Sequence, residues 1–492
     1  MGDFVEEREF YSDKPGEECG IFGVISANEP VAYLTYLGLF ALQHRGQESA
    51  GIAVGDGRAM DTKRGMGLLT DVFRNGLPEL KGDKAIGHVR YSTAGASIPV
   101  NTQPLMVSFS GGNLALAHNG NLTNVNALKR ELADKGAFFH TSMDTEALVA
   151  VIISAEKQAI GEKIAESMKK VEGAFSLALL TDDKLVAVRD KFGFRPLCIG
   201  RLADGWAVAS ESCALDAAGA KFVRDVEPGE VVVFTRGGQR PESFFYDKGI
   251  NKAAHCVFEY IYFARTDSII DGRSVYLSRI AMGRELAREN PDLKERVDAV
   301  FSVPDSGTTA AIGFGMESGV PFLEGLNKNR YVGRTFIQPT QQKRDVGVRM
   351  KLNPVRPLVE GKAIAIVDDS IVRGTTSGKI LKLLRDAGAR ELHMLISSPP
   401  ILYPCYYGID TAVRKELISA THTGEEIRQY IGADSLRFVS LAGLRRALDA
   451  GASGTMCYAC FNGEYPLWPQ DQPGSRQAAE SGEMCQCRGE GK

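Results

Sequence analysis

The sequence feature that most constrains the fold is the stretch at residues 362–377, which reads K-A-I-A-I-V-D-D-S-I-V-R-G-T-T-S. It begins with a short apolar run rich in Ile and Val (363–367), which is typical of a strand buried on both faces. Two adjacent carboxylates, Asp368 and Asp369, follow this run. A loop of small and hydroxylated residues then leads into a helical pattern at 378–387. The stretch therefore predicts a buried strand that ends in acids and turns into a helix.

This strand, acid pair, loop and helix together indicate a phosphate site. Unpaired backbone N–H groups and the positive end of a helix dipole face an anion in such a loop, and the hydroxyls of Thr375 and Thr376 add donors. The carboxylates at the strand end suit ribose hydroxyls or a hard cation such as Mg²⁺. The alternative is that Asp-Asp only ends a buried strand, as in phospho-receiver domains, and that Gly374 only turns the chain. The combination of features favours the phosphate site.

Residues 366–376 closely resemble the phosphoribosyl pyrophosphate (PRPP) motif of the type I phosphoribosyltransferases. The resemblance implies that the two acids hold the ribose 2′- and 3′-hydroxyls and that the loop binds the 5′-phosphate. Arg373 is larger than the residue that many members carry there, so it belongs to the binding set as part of the loop and is assigned no separate role. The resulting PRPP-binding set is Asp368, Asp369, Arg373, Gly374, Thr375, Thr376 and, from a second segment, Lys351.

Helical and strand-like runs alternate around this motif, which predicts an α/β domain with a mainly parallel sheet at residues 255–468. Ligands of such sheets bind at the carboxyl ends of the strands. Ser306 follows one predicted strand end, and the resemblance implies that it holds Mg²⁺ together with Asp368 and Asp369. A role for Ser306 as a helix cap is the alternative, and the two are compatible. The runs are 281–290, 299–303, 306–316, 363–367, 378–387 and 393–396.

The segment at residues 333–354 carries many cations and one acid, Asp345; its cations are Arg334, Lys343, Arg344, Arg349 and Lys351. Composition alone predicts a solvated surface. Its position between two strand ends, however, is similar to the mobile loop that closes over PRPP in the type I family. A cationic lid there would help to neutralise pyrophosphate and to exclude water from the reacting sugar.

Cys19 marks an abrupt change in the N-terminal half. Residues 1–18 are strongly acidic and lack an apolar core, so we interpret them as a disordered leader and propeptide rather than a signal or transit peptide. Cleavage after Glu18 would give Cys19 a free α-amino group with a pKa near ~7.7–8.0, well suited to a general base. Such a cysteine needs no distant histidine to become a nucleophile. The alternative is a small buried hydrophobe.

Five segments in order resemble the class II glutamine amidotransferases, which belong to the N-terminal nucleophile hydrolases. They are C-G-I-F-G-V from 19, L-Q-H-R-G-Q-E from 42, G-H-V-R-Y-S-T-A-G from 87, H-N-G-N-L from 118 and S-M-D-T-E from 142. The resemblance implies that Cys19 attacks the side-chain amide of glutamine. It also implies that Asn119 and the Gly120 N–H form the oxyanion hole.

The same resemblance implies a clamp for the glutamine main chain. Arg90 would grip the α-carboxylate, for which a planar guanidinium is well shaped, and Asp144 would hold the α-ammonium. Thr93 would lie beside the bound glutamine. The chemistry does not require an imidazole, so structural roles are expected for the motif histidines His44, His88 and His118.

Residues 19–245 are predicted to form an α+β domain of stacked αββα layers. An alternating run begins at Cys19, and a helix is predicted at 31–42. A long helical pattern at 145–170 separates the third of the later strand-like runs from the fourth. Those runs are 50–54, 85–89, 114–118, 174–180 and 184–189.

The chain has nine cysteines and no evident secretory signal, which favours a reducing cytoplasm in which thiols serve catalysis or metals. For Cys256, Cys405 and the C-x-x-C pair Cys457 and Cys460, spacing alone leaves zinc, an iron–sulfur cluster and buried thiols open. Their contexts, H-C-V-F-E, Y-P-C-Y-Y-G-I-D and C-Y-A-C, resemble the [4Fe–4S] subclass of the amidophosphoribosyltransferases, which implies a cluster. The others are expected in the core (Cys198, Cys213) or in a disordered tail at 470–492 (Cys485, Cys487).

The whole chain from 19 to about 468 resembles this family, with Thr266 where members usually have Pro. The resemblance implies that glutamine, PRPP and water give 5-phosphoribosylamine, glutamate and pyrophosphate, the first committed step of purine synthesis. It also implies purine nucleotides as feedback inhibitors and a homo-oligomer, with a tetramer suggested. The formal net charge of −3 gives no global basic field for nucleic acid.

Two other functions compete with this interpretation. One is a different class II amidotransferase, against which the PRPP motif argues, as does the lack of an S-G-G-x-D-S-type ATP loop. The other is a PRPP-sensing regulator built on a transferase fold, against which the intact nucleophile and glutamine clamp argue.

Overall fold

The computed structural model describes most of the chain, namely residues 18–77, 80–91, 97–157, 159–237, 240–248, 253–329, 352–411, 414–449 and 456–469. Within these ranges no helix combines the length and the apolar character needed to cross a membrane. The predicted leader, the cationic segment up to residue 351 and the predicted tail lie outside the described residues, apart from Glu18 and residues 352–354.

Two antiparallel sheets form the N-terminal half. The first has seven strands in the spatial order Lys221–Asp225, Cys198–Arg201, Gly205–Ala209, Gly20–Ser26, Lys84–Arg90, Ser49–Gly55 and Met60–Met66. The second has six strands in the order Glu242–Phe245, Glu230–Thr235, Lys184–Arg189, Gly173–Thr181, Gly112–Leu122 and Leu105–Phe109. The predicted strand-like runs all lie within these strands.

The two sheets stack face to face, and helices cover their outer faces. Because side chains alternate along a strand, Ile21 points to the core between the sheets while Phe22 packs on the outer face with Leu39. On the far side, Leu177 of the second sheet packs with Leu148 of a covering helix. The helices are Val31–Ala41, Leu69–Val72 and Ser212–Ala217 with the first sheet, and Val125–Asp134, Thr145–Ser154 and Ile160–Met168 with the second. These layers confirm the predicted αββα stack.

One predicted element of this half is wrong in its length. The helical pattern at 145–170 forms two helices, Thr145–Ser154 and Ile160–Met168, because the backbone is extended at Ala155 and at Ala159. The first helix contacts strands Leu105–Phe109 and Gly112–Leu122, whereas the second contacts Glu230–Thr235 and Glu242–Phe245. A single straight helix of that length, roughly 39 Å, could not follow both ends of the sheet.

A four-stranded sheet organises the C-terminal half. Its strands lie in the order Ala299–Ser302, Ala363–Asp368, Glu391–Ile396 and Ser435–Phe438, and each neighbouring pair is parallel. Alternate residues of the central strand face different cores, with Ile364 and Ile366 on one side and Ala365 and Val367 on the other. The apolar run is therefore buried on both faces, as its composition predicts.

Helices cover both faces of this sheet. Those on one face are Val275–Arg288, Thr308–Ser318 and Leu441–Asp449, and those on the other are Thr375–Asp386 and Gly424–Ile431. Three short strand pairs complete the half: His255–Cys256 with Met456–Cys457, Ile269–Ile270 with Arg273–Ser274, and Leu326–Lys328 with Leu352–Pro354. Shorter helical turns are Pro99–Asn101, Glu259–Phe263, Leu293–Arg296, Arg356–Val359, Arg414–Glu416, Ile418–Thr421 and Ala459–Asn462.

Candidate active sites

Cys19 lies immediately before the central strand Gly20–Ser26 and is buried. Its thiol donates a hydrogen bond to the Tyr91 carbonyl oxygen at 3.3 Å. Burial raises the pKa of the Cys19 thiol to about 11, although this hydrogen bond and the charge of Arg90 act in the opposite direction. The thiol therefore needs a base nearby to become a nucleophile near neutral pH.

The neighbouring strand brings Arg90 to the same place. Gly20 pairs with Val89 across the first sheet, so Arg90, the last residue of Lys84–Arg90, lies next to Cys19. Arg90 is buried, and its charge acts on the Cys19 thiol. The predicted nucleophile Cys19 and the predicted carboxylate clamp Arg90 are thus adjacent because their strands are paired.

Asn119 and Gly120 lie on strand Gly112–Leu122 of the second sheet. The Asn119 side chain is buried, and its Nδ2 atom has no hydrogen-bond partner among the described residues. Gly120 has φ +141°, and a Cβ there would lie 2.0 Å from the Ala174 carbonyl oxygen, so only glycine fits. The Asn119 amide is thus a buried donor that has no partner among the described residues, and it is followed directly by the Gly120 backbone. Such a donor can form a hydrogen bond with a bound oxyanion.

Asp144 is buried just before helix Thr145–Ser154. Its carboxylate accepts a hydrogen bond from Leu122 N at 3.1 Å and lies 3.3 Å from His118 Nδ1. Burial alone would raise the pKa of Asp144, but His118 and these backbone donors lower it overall. The carboxylate is therefore kept ionised, as a partner for an ammonium group must be.

The motif histidines hold these strands in place. His88 Nε2 lies 2.9 Å from the His118 carbonyl oxygen and so links the first sheet to the second. Burial lowers the pKa of His88 to about 3, which keeps the ring neutral. His44 Nε2 lies 2.7 Å from a Glu211 carboxylate oxygen. Thr93, the remaining residue predicted beside glutamine, lies outside the described residues.

A buried charge cluster joins the two halves of the chain close to Cys19. Arg45 donates from Nε to the Cys19 carbonyl oxygen at 3.0 Å and from both terminal nitrogens to Glu259, at 2.9 and 2.7 Å. It also donates to Glu211 at 2.7 Å and to Glu18 at 3.2 Å. Sequence reasoning assigned no role to these charges. The single acid within the apolar run V-F-E-Y-I-Y-F was a usable signal, because a buried acid needs a partner.

The PRPP-motif acids lie at the carboxyl end of strand Ala363–Asp368. Asp368 and Asp369 are buried, and Asp369 N donates to Asp368 Oδ1 at 2.9 Å. Ser370 Oγ donates to Asp369 Oδ2 at 2.6 Å. Ser306 follows the adjacent strand Ala299–Ser302 and precedes helix Thr308–Ser318, so it lies at the same edge of the sheet.

The loop after the acids ends at Gly374, whose φ is +80°. A Cβ at Gly374 would approach Ile418 Cδ1 to 3.1 Å, so both its conformation and its space suit glycine. The helix begins at Thr375 rather than at residue 378, which places Thr375 and Thr376 in its first turn. Their N–H groups therefore belong to the helix N-terminus, which favours phosphate even more than the sequence suggested.

The pairing of Arg373 with an acidic residue argues against a simple role as a phosphate ligand. Its guanidinium donates a hydrogen bond to a Glu416 carboxylate oxygen, so part of its charge is compensated within the chain. Lys328, at the end of the strand before the cationic segment, pairs with Asp305. Lys351 lies outside the described residues.

Cys256, Cys405, Cys457 and Cys460 line one cavity, together with aromatic residues such as Phe194 and Tyr407. None of the four thiols forms a disulfide. Strand pairing places Cys256 opposite Cys457. Burial, followed by the charges of the other three thiols, raises the pKa of Cys460, so all four are close enough to interact electrostatically.

In the described part of the chain, no group of three or more His, Cys, Asp or Glu side chains is positioned to hold a metal ion as it stands. The predicted core residues Cys198 and Cys213 are both buried in the N-terminal half. Cys485 and Cys487 lie outside the described residues.

Known proteins resemble the chain along most of its length. Residues 88–217 match a family described as a glutamine amidotransferase domain. Amidophosphoribosyltransferase of Bacillus subtilis is 49% identical over 456 residues, which cover 92% of this chain and 94% of the relative. That of Archaeoglobus fulgidus is 48% identical over 477 residues, covering 95% and 100%. The chloroplastic amidophosphoribosyltransferase 2 of Arabidopsis thaliana is 48% identical over 464 residues, covering 94% and 81%.

A solved structure has the same fold over most of its length. Glutamine PRPP amidotransferase from B. subtilis, complexed with ADP and GMP, superposes with a TM-score of 0.86 at 47% identity, over 92% of this chain and 99% of that one. The αββα half and the parallel-sheet half therefore define a class II glutamine amidotransferase joined to a type I phosphoribosyltransferase. The chain belongs to the amidophosphoribosyltransferase family, glutamine-dependent phosphoribosyltransferases of purine biosynthesis. The predicted fold class and function are confirmed.

Proposed function

We propose that Cys19 releases ammonia from glutamine and that the sheet edge at Asp368 and Asp369 holds the PRPP that this ammonia attacks at C1. The observation that carries the glutaminase assignment is electrostatic and geometric. Strand pairing places Arg90 beside the buried Cys19, and the charges of Arg90 and Asp144, the two predicted ends of the glutamine clamp, both act on its thiol, as does that of Glu48. A glutamine held by its main-chain charges would thus present its side chain beside the nucleophile.

The glutaminase step uses a thiol, a base and an oxyanion hole. With a thiol pKa of about 11, only roughly one Cys19 side chain in ten thousand is ionised at pH 7 without help. The α-amine that cleavage after Glu18 would expose has a suitable pKa and is carried by the same residue. Attack then forms a tetrahedral oxyanion, which accepts hydrogen bonds from Asn119 Nδ2 and Gly120 N–H. Collapse releases ammonia, and water hydrolyses the resulting thioester to glutamate.

Processing of the leader follows from this assignment. An α-amine at Cys19 requires the bond between Glu18 and Cys19 to be cut, with residues 1–18 lost as a propeptide. Intact-mass measurement of active enzyme should give the mass of a chain that begins at Cys19. Full activity in a protein that retains residues 1–18 would contradict the α-amine base.

The transferase site binds its substrate through the strand end and the helix N-terminus. Asp368 and Asp369 hold the ribose hydroxyls, while the N–H groups and hydroxyls of Thr375 and Thr376 hold the 5′-phosphate after the turn at Gly374. Ser306, Asp368 and Asp369 share one edge of the sheet, and oxygen donors of this kind fit Mg²⁺. When bound, Mg²⁺ would neutralise charge on the departing pyrophosphate. Lys351 and the cationic segment around it are proposed to cover the bound PRPP.

We further propose that Cys256, Cys405, Cys457 and Cys460 hold a [4Fe–4S] cluster with a structural role. The donor set suits a cluster chemically, because four thiols outside any disulfide line one largely apolar cavity, although among the described residues they are not positioned to hold a metal ion as they stand. Protein purified without oxygen should be brown and contain about four irons per chain. Replacement of Cys457 by Ser should lower both iron content and soluble yield, since metal binding is coupled to folding. Stoichiometric zinc without iron would refute the cluster.

Regulation, assembly and location are proposals at a coarser level. The B. subtilis relative was solved with ADP and GMP, which supports purine nucleotides as feedback inhibitors of this chain. A homo-oligomer, tetrameric by resemblance, and a cytoplasmic location are also proposed. Sedimentation velocity would measure the oligomeric state, and the rate of glutamine-dependent synthesis with and without purine nucleotides would measure the feedback inhibition.

One coupled assay tests the proposed reaction directly. Purified enzyme should release glutamate, pyrophosphate and phosphoribosylamine in equal amounts from glutamine, PRPP and Mg²⁺. Glutamate without pyrophosphate would indicate an isolated glutaminase, and PRPP binding without glutamine turnover would indicate a sensor.

A further inference from the structure

Glu18, the last residue of the predicted leader, is buried rather than exposed. Its side chain is 1% accessible, as is that of Arg195, and Arg45 is fully enclosed. One Glu18 carboxyl oxygen lies 3.2 Å from an Arg45 terminal nitrogen. The other accepts a hydrogen bond from a terminal nitrogen of Arg195. A leader that is otherwise rich in acids thus ends in one carboxyl group held by two arginines.

Both arginines are fixed by contacts that do not involve Glu18. Arg45 donates to Glu211 and Glu259, and Arg195 Nε donates to the Tyr407 carbonyl oxygen at 3.1 Å. Each guanidinium group therefore has partners other than Glu18. They form a preformed pocket for a carboxyl group, which we call the Glu18 pocket.

Arg45 contacts both sides of the bond that is proposed to be cut. Its Nη2 atom donates a hydrogen bond to the Glu18 carboxyl group, and its Nε atom donates to the Cys19 carbonyl oxygen at 3.0 Å. Burying a carboxyl group is unfavourable unless its hydrogen bonds are satisfied. Because the proposed processing removes Glu18, its satisfied burial can act only in the precursor.

We propose that the Glu18 pocket recognises the leader through its last side chain and so positions the bond between Glu18 and Cys19 for hydrolysis. This inference rests on the proposed processing at that bond. In the reaction water adds across the peptide bond, so that Glu18 gains a terminal carboxylate and the Cys19 nitrogen becomes the free amine. The pocket makes Glu18 a specificity residue, and Arg45 and Arg195 are positioning residues.

The pocket also accepts a neutral side chain of the same shape. Burial raises the pKa of Glu18, and its carboxyl shares a hydrogen bond with Glu259. A glutamine amide can likewise donate to Glu259 and accept from the two arginines. Alanine and leucine can do neither.

The test measures how fast the full-length chain loses residues 1–18, by intact mass at intervals after synthesis. Glu18→Gln should be processed within about threefold of wild type, whereas Glu18→Ala and Glu18→Leu should be slower by about tenfold or more, as expected for a lost charge-assisted hydrogen bond. Glu17→Ala is the matched control, because it removes the same charge one residue earlier. It should be processed like wild type.

Folding is controlled in two ways. A chain that starts at Cys19 lacks Glu18 altogether and should be fully active, and unprocessed Glu18→Ala protein should still make phosphoribosylamine from ammonia. Processing of Glu18→Ala at the wild-type rate would contradict the proposed role of the Glu18 pocket. So would slowing by Glu17→Ala or by Glu18→Gln that equals the slowing by Glu18→Ala. Retention of the leader by active wild-type enzyme instead overturns the proposed processing itself.

Discussion

Asn119→Ala separates a catalytic role of this side chain from a structural one. Asn119 Nδ2 is buried, and it is an unsatisfied donor within the part of the chain that the structure describes. Such donors are rare in folded proteins, and one that persists needs a reason. An oxyanion that forms during turnover and fills the vacant acceptor position supplies that reason.

The expected changes in kcat and in the free energy of unfolding follow from the unsatisfied Asn119 amide. Loss of one oxyanion-hole donor costs about 2.7–4 kcal/mol of transition-state stabilisation, so the kcat for glutamine hydrolysis should fall roughly 10²- to 10³-fold. The free energy of unfolding should change little. Removal of an unsatisfied buried donor is favourable by about 1–3 kcal/mol, which offsets the packing lost with the side chain.

Asn121→Ala is the matched control, since it removes the same amide two residues further along the same strand. Asn121 Nδ2 donates to the Tyr406 carbonyl oxygen at 3.0 Å, so its hydrogen bond is already made in the native state. Its loss should lower the free energy of unfolding by about 1 kcal/mol and leave glutamine hydrolysis within a few-fold of wild type.

The assay measures glutamate release at saturating PRPP, ammonia-dependent synthesis and urea unfolding for all three proteins. Asn119→Ala should lose glutamate release and keep ammonia-dependent synthesis. If its glutaminase rate stayed within threefold of wild type, or if both alanine variants lost this activity equally, the oxyanion assignment would be wrong.

Three further substitutions test the division of labour between the two halves, and a fourth tests the buried charge cluster. Cys19→Ala, in a chain that starts at this position, should abolish glutamine-dependent synthesis and leave synthesis from ammonium salt at mildly alkaline pH intact; loss of both in a folded protein would contradict separate sites. Asp368→Asn and Asp369→Asn should impair synthesis with either nitrogen source, which a PRPP titration of the ammonia reaction would show. Glu259→Gln breaks a buried ion pair and should lower the free energy of unfolding by about 3 kcal/mol, measured by urea unfolding.

Much of the fold was predictable because its signals are local. The strand Lys184–Arg189 has the bounds that its apolar pattern predicts, and the stretch at residues 362–377 contains a strand, two acids and a turn within sixteen residues. The exact start of the following helix was less predictable. Gly374 takes a left-handed conformation just before Thr375, so the helix begins earlier than the apolar periodicity indicates.

The contacts that complete the glutamine site were not predictable, since they join distant parts of the chain. Arg195 and Glu18 are separated by 177 positions and Arg45 and Glu259 by 214, and no local pattern pairs them. The break between the helices at residue 155 likewise depends on which strands each helix covers. Motif resemblance predicts residues that would touch substrate, which stays a prediction, whereas the buried charges around Cys19 are evident only from the three-dimensional structure.

Those buried charges also connect the two proposed active sites. Arg45 joins the Cys19 carbonyl oxygen to Glu259, which opens the π-helical turn Glu259–Phe263. The next residue, Tyr260, accepts a hydrogen bond from Arg279 Nε at 2.8 Å, and the charge of Asp369 acts on Arg279. Desolvation makes such ion pairs poor contributors to net stability, but removal of one partner leaves a buried charge uncompensated and is strongly unfavourable. These contacts connect the two halves near Cys19, so the proposed release of ammonia at Cys19 would take place on a framework that is joined to Asp369 through Arg279.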